Sequence, residues 1–189
     1  MRRRPFIRQR TPIFVGCEGE SERSYVTLLG RIADQAGLSV HLDPVLLRPG
    51  GGDPCALVEL AVKRLKEKGR GRGTPYRARF IMLDDDRLGQ SAERDARAHS
   101  LAAQAKLIFL WQSPCHEALL LRHLADCAAL RPPTTPIAEA ALRQRWPDYG
   151  KGMAAAQLAR RLDVAAVRRA AAVEPTFAEF VSTIGLTAA

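Results

Sequence analysis

Four short apolar runs, separated by longer stretches of helical periodicity, constrain this chain more than any other feature of its sequence. The runs are PIFVG (residues 12–16), LSVHLDPVLL (38–47), RFIMLDDD (79–86) and KLIFLW (106–111). Between the first two, Ser21–Ala36 brings Tyr25, Leu28, Leu29 and Ile32 to one helical face, and Gly37 follows as a terminator. Asp53 stands as an N-cap before Pro54 and opens a second helix to about Lys68; a third covers about Gln90–Gln104. Strand–helix alternation sustained over about 110 residues predicts an α/β fold: a parallel sheet of about four strands with helices on both faces.

Beyond the fourth run the pattern changes. Ser113 reads as an N-cap and Pro114 as the first residue of a helix to about Cys127, and RPPTTP (131–136) breaks the chain. An Ala- and Arg-rich remainder reads as helices at 137–146, 152–172 and 175–184. The expected organisation is a basic flexible arm (1–11), an α/β domain (12–130) and an all-helical extension (131–189) packed on it. There are no internal repeats.

The residues that carry chemistry gather where strands end. Glu18 follows the first strand directly, Glu22 lies one helical turn further on, and Asp84, Asp85 and Asp86 close the third strand. Parallel strands deliver these residues to one edge, the edge at which open α/β sheets form their crevices. Period two puts Asp84 and Asp86 on one side of the strand and Asp85 on the other. Converging carboxylates repel unless a cation joins them, and an oxygen-rich cluster suits Mg²⁺ or Mn²⁺. Glu20 reads instead as a first-turn partner of the helix dipole. Glu117, in the first turn after the fourth strand, reaches the same edge, and Lys151 is a candidate to neutralise charge developing on a phosphate.

Charge points to a polyanionic partner. Lys and Arg outnumber Asp and Glu by 29 to 20, giving +9 and a pI near 10.0. The excess is clustered: five arginines lie in the first ten residues, and Lys63–Arg79 holds eight basic residues against Glu67 alone. Arg64, Lys66, Lys68, Arg70 and Arg72 are the candidate nucleic-acid-binding residues.

Other functions are excluded residue by residue. No apolar stretch approaches the roughly 20 residues of a membrane span, and MRRRPFIRQR lacks the apolar core of a secretory signal, so a cytoplasmic protein is expected. The cysteines 17, 55, 115 and 127 form no CxxC pair and read as reduced and buried. CHEALLLRH misses the zinc motif HExxH, because position 120 is Leu. No GxxxxGK[ST] is present, and RPGGGDP reads as a turn. Cys115 reads as packing, His123 as a hydrogen-bonded semi-buried residue, and Trp146 and Tyr149 as packing of the tail.

VxxEG after the first strand with DxD after the third resembles the Toprim arrangement of primases, topoisomerases and OLD-family nucleases. CEGESERSY, LDDD, SPCHEALLLRH, DYGKG and PTFAEFV, in this order and spacing, resemble the RloB-like proteins over about residues 12–184. These are bacterial defence-associated, Toprim-like proteins often paired with an ATPase. The resemblance implies Glu18 as metal ligand or general acid/base, Asp84 and Asp86 as cation holders, and Glu22 as a second-metal ligand. The family's conserved-motif positions SPCxE and YxK fall on Ser113, Pro114, Cys115 and Glu117 and on Tyr149 and Lys151. Three departures are visible: Ser21 stands where the family has Thr, SPCHE replaces NPCFE, with His116 in place of an aromatic residue, and the Trp that follows in the family is missing, with EALLLRH instead.

The expectation is a metal-dependent nuclease of DNA or RNA, acting in antiphage defence with an AAA/ABC-type ATPase partner; a homodimer is also allowed. The alternative is a non-catalytic nucleic-acid-binding or regulatory subunit. A receiver-like phosphoacceptor fails, since it needs an acid pair after the first strand.

Overall fold

A computed structural model describes residues 9–48, 52–69 and 74–187. The chain runs β1 (Thr11–Cys17), α1 (Glu20–Gln35), β2 (Val40–Leu46), α2 (Pro54–Gly69), β3 (Ala78–Asp84), α3 (Ala92–Ala105), β4 (Ile108–Gln112) and α4 (His116–His123). Four helices follow: α5 (Thr135–Arg145), α6 (Ala155–Leu158), α7 (Val164–Ala171) and α8 (Pro175–Thr183). The four strands are parallel in the order β2-β1-β3-β4, as the alternation predicts. The order reverses between β1 and β3, so the crevice of this fold opens at their carboxyl ends. Pro44, which cannot donate to a ladder, lies in the edge strand β2.

Alternate residues of β1 and β3 enter two cores. Ile13, Val15, Cys17, Phe80 and Met82 face α1 and the C-terminal helices, while Phe14, Ile81 and Leu83 face α2 and α3. The C-terminal helices bury most of their apolar side chains in the sheet's core, and Ala138 of α5 joins Cys115 and Ala118 in a small cluster of its own. Phe180 of α8 meets Phe80 edge-on at 4.9 Å between ring centroids, and Val167, Phe177 and Ile184 join the same cluster. All four cysteines are free and buried. No helix among the described residues is long and apolar enough to cross a membrane.

Several boundaries differ from the sequence reading, each for a local reason. Lys106 belongs to the end of α3, where it adopts φ 54°, so β4 starts later. The helix placed at Ser113 starts after Cys115, whose carbonyl accepts the first helical bonds from Ala118 and Leu119. The Ser113–Pro114 bond is cis, and Ser113 offers its carbonyl to Arg122 rather than capping. α4 ends at His123, where Leu124 turns extended (ψ 149°). The segment 152–172 divides because Asp163 caps a new helix, accepting from the Ala166 amide at 2.8 Å. β3 ends at Asp84, so Asp86 lies in the following turn and the period-two argument does not reach it.

Candidate functional site

The site is built on the carboxyl ends of β1, β3 and β4 and the first turns of α1 and α4. Asp84 follows Phe80 and Met82 in parity, which turns it to the face covered by α1 and α4. The site's other carboxylates come from different elements. Glu18 leaves β1 and accepts from the Asp84 amide at 3.4 Å. Glu22, buried at the third position of α1, reaches back to the Gly19 amide at 2.8 Å, as a capping glutamate does. Glu117, buried in the first turn of α4, accepts from the Tyr149 hydroxyl at 3.2 Å. Asp86 is exposed and accepts from the Thr135 hydroxyl at 3.3 Å.

Asp84 is the electrostatic centre of this group. Burial, followed by the charges of Glu22, Glu18, Glu117 and Asp86, pushes its carboxyl up to about 9. Burial also raises Glu18; the Asp84 amide opposes that shift, and the charges of Glu22 and Asp86 add to it. Five buried side-chain atoms among the described residues lack a hydrogen-bond partner, and three of them lie here: Asp84 Oδ1, Gln112 Oε1 and His116 Nε2. The other two belong to Arg122, whose charge is met by Glu174 at 2.9 Å.

The carboxylates make the site oxygen-rich and strongly anionic, which fits a hard dication better than zinc. Its convergence is incomplete: among the described residues no three His, Cys, Asp or Glu side chains stand as a group that could hold a metal ion. Glu18, Glu22, Glu117 and Asp86 are each held by a donor of their own, so rotations about side-chain bonds would have to bring three oxygens to one point.

The other sequence candidates fall elsewhere. Lys151 is mostly exposed and bound to Glu139 at 2.7 Å, a bond that raises its pKa, with Glu117 adding to the shift. Arg64 pairs with Glu67 at 3.0 Å, Lys68 with Asp43 at 2.9 Å, and Arg70 and Arg72 lie outside the described residues. Lys66 lines a cavity of about 340 Å³ together with Tyr76 and Arg79. That cavity is at the amino edge of the sheet, a strand length of about 20 Å from the acids. Cations on the acids' own edge include Arg87, whose charge lowers Glu18, and Arg48, 3.9 Å from Glu20. Glu20 makes its closer pair with Arg23 at 2.6 Å and stays outside the cluster.

Cys115 is fully buried and its thiol is pushed up to about 12 by that burial, which suits packing and not nucleophilic attack. His123, also fully buried, is held by Tyr25 Oη at 2.7 Å and the Leu119 carbonyl at 2.8 Å. Trp146 and Tyr149 are both buried, and the tail loop is tied to α1 by the Gly152 amide donating to Ser21 Oγ at 2.9 Å. Gln112 escaped notice as a site residue because an isolated glutamine carries no chemical signature. Its one sequence signal was position, at the end of the fourth strand as Asp84 ends the third.

The RloB-like protein family model matches residues 13–181, most of the chain. The chain belongs to the RloB-like family. Comparisons with curated proteins and with solved structures found no match. The matched span takes in every described member of the carboxylate cluster and the helices that cover it.

Proposed function

We propose that this RloB-like chain is a divalent-metal-dependent nuclease that hydrolyses phosphodiester bonds of DNA or RNA. The observation that carries the reading is Asp84, on which four other carboxylates press and whose inner oxygen has no partner. Buried like charges of this kind are unfavourable in a fold unless they serve a site. Family membership and the net charge of +9 support the same reading.

Glu18, Glu22 and Asp84 would hold Mg²⁺ or Mn²⁺, with Glu117 and Asp86 available to a second ion. A dication bound there supplies positive charge to a phosphoryl oxygen and acidifies a bound water. The Tyr149 hydroxyl fixes the rotamer of Glu117, and Arg48 and Arg87 stand on the edge where phosphates would approach. Lys151 serves a leaving oxygen only after exchanging away from Glu139. The role in antiphage defence and the ATPase partner follow from the family resemblance.

A non-catalytic nucleic-acid-binding or regulatory subunit is the second reading. It is favoured by the donors that Glu18, Glu22 and Glu117 already have and by the absence of three converging ligands among the described residues. Calorimetric titration of Mg²⁺ and Mn²⁺ into wild type, Glu18→Ala and Asp84→Ala, paired with cleavage of DNA and RNA, separates the two. The nuclease reading expects binding that both substitutions abolish, and cleavage lost with it. Nucleic-acid affinity with no metal binding in the folded wild type would sink that reading and leave the second.

A further inference from the structure

Asp84 and Gln112 are paired across β3 and β4. Gln112 keeps the parity of Leu110, and Asp84 that of Met82, both of which enter the core under α1. The amide of Gln112 therefore stands beside the Asp84 carboxylate, on the same face of the sheet edge. Gln112 is 2% exposed and His116 is also 2% exposed. The Gln112 amide nitrogen lies 2.8 Å from His116 Nδ1, and Gln112 Oε1, like Asp84 Oδ1, has no partner.

Two adjacent buried acceptors without a donor leave two lone-pair sets unsatisfied, which a fold rarely tolerates. With Asp84 ionised, neither group can satisfy the other in this orientation, because both then present only acceptors. A cation satisfies both together, and a neutral carbonyl oxygen is an ordinary ligand for a hard dication. Resting on the nuclease reading above, the geometry points to Gln112 as a further, uncharged oxygen ligand of the same cation. His116 is then a positioning residue: by holding the amide nitrogen it turns the oxygen toward Asp84. An aromatic residue at 116 has no nitrogen to hold the amide, so this device is tied to the His in SPCHE.

The distinction between oxygen and nitrogen ends of the amide makes the idea testable. Titration calorimetry with Mg²⁺ alone would be run on wild type, Asp84→Ala, Gln112→Met, His116→Phe, Gln112→Glu and the double variant Gln112→Glu/His116→Phe. Circular dichroism and thermal midpoints would establish that each is folded; Gln112→Met preserves side-chain volume for that purpose. The expected result is about a tenfold or greater loss of affinity in Gln112→Met and about tenfold in His116→Phe. Glu has two equivalent oxygens and needs no orienting partner, so His116→Phe should cost nothing in the Gln112→Glu background. Unchanged affinity in Gln112→Met would overturn the inference while leaving the nuclease reading standing. The amide would then merely brace Asp84 through its N–H. An equal cost of His116→Phe in both backgrounds would overturn the positioning role. Absence of Mg²⁺ binding in wild type would remove the inference together with the reading beneath it.

Discussion

Asp84 stands in a place that opposes charge. Its ordinary value of 3.8 rises to about 9 in the fold, so the native state binds a proton that the unfolded chain releases. The stability tied to this proton is complete below pH 3.8 and is lost as pH rises through 9. The thermal midpoint of metal-free protein is therefore expected to fall across that window. Asp84→Asn should remove this part of the slope and raise the midpoint at pH 8, with about 2–4 °C for each kcal/mol recovered. Differential scanning calorimetry over a pH series measures both, and a lower midpoint in Asp84→Asn would contradict the account. His123 acts with the opposite sign. Burial lowers it from 6.5 to about 4, so its contribution is complete above pH 6.5 and is lost as pH falls through 4. His123→Leu should be less stable at neutral pH and show a flatter acid limb than wild type.

At the scale of elements, one buried charge joins the tail to the sheet. Arg122 of α4 is 1% exposed; its Nε lies 2.9 Å from Glu174, the residue that precedes α8, and it donates to the Ser113 carbonyl. Removing one partner leaves the other buried and uncompensated, which costs about 3–5 kcal/mol. Glu174→Ala is expected to lower stability by that order, and Arg122→Met with Glu174→Leu to recover much of it; urea unfolding of the three variants decides. Loop-to-helix junctions are cheaper. Asp163→Ala removes a cap between α6 and α7 and should cost about 1 kcal/mol. Within β1, a Cβ on Gly16 would meet Leu47 at 3.2 Å and Ile81 at 3.3 Å. Crowding by side chains of β3 and of the residue after β2, and not a turn, accounts for that glycine.

For the molecule as a whole, the two edges of the sheet carry opposite chemistry. The acids lie at the carboxyl edge, whereas Lys66 and Arg79 line a cavity at the amino edge. A separation of about 20 Å exceeds the Debye length of about 8 Å at physiological salt, so the two regions are electrostatically independent. Lys66→Glu with Arg79→Glu should leave Mg²⁺ affinity at the acids unchanged. Arg48→Glu with Arg87→Glu should weaken nucleic-acid binding and reduce its salt slope by about one per lost phosphate contact. Filter binding at several salt concentrations reads this, and a larger effect from the amino-edge pair would restore the basic segment as the nucleic-acid track.

Local rules were enough to read the α/β architecture, the four strands, the helices of the first half and the acids at Glu18, Glu22, Asp84 and Glu117. Apolar periodicity, capping residues and strand-end position are properties of neighbouring residues, and a parallel sheet collects its strand ends at one edge whatever else happens. Where the chain pairs with distant segments, that reading stopped. Asp86 left the strand because β3 ends at Asp84, and Lys151, in the turn after α5, was taken by Glu139 of α5. Lys66, one of the candidate nucleic-acid-binding residues, was carried to the far edge by α2, whose 16 residues span about 24 Å back along the sheet. Gln112 beside Asp84 depended on the β3–β4 register, and register follows from the packing of both sheet faces together. Sequence determined which groups meet at the carboxyl edge through their own strand ends. Tertiary structure decided which neighbours hold them, because ion pairs and buried hydrogen bonds form between residues that only the completed core brings within reach.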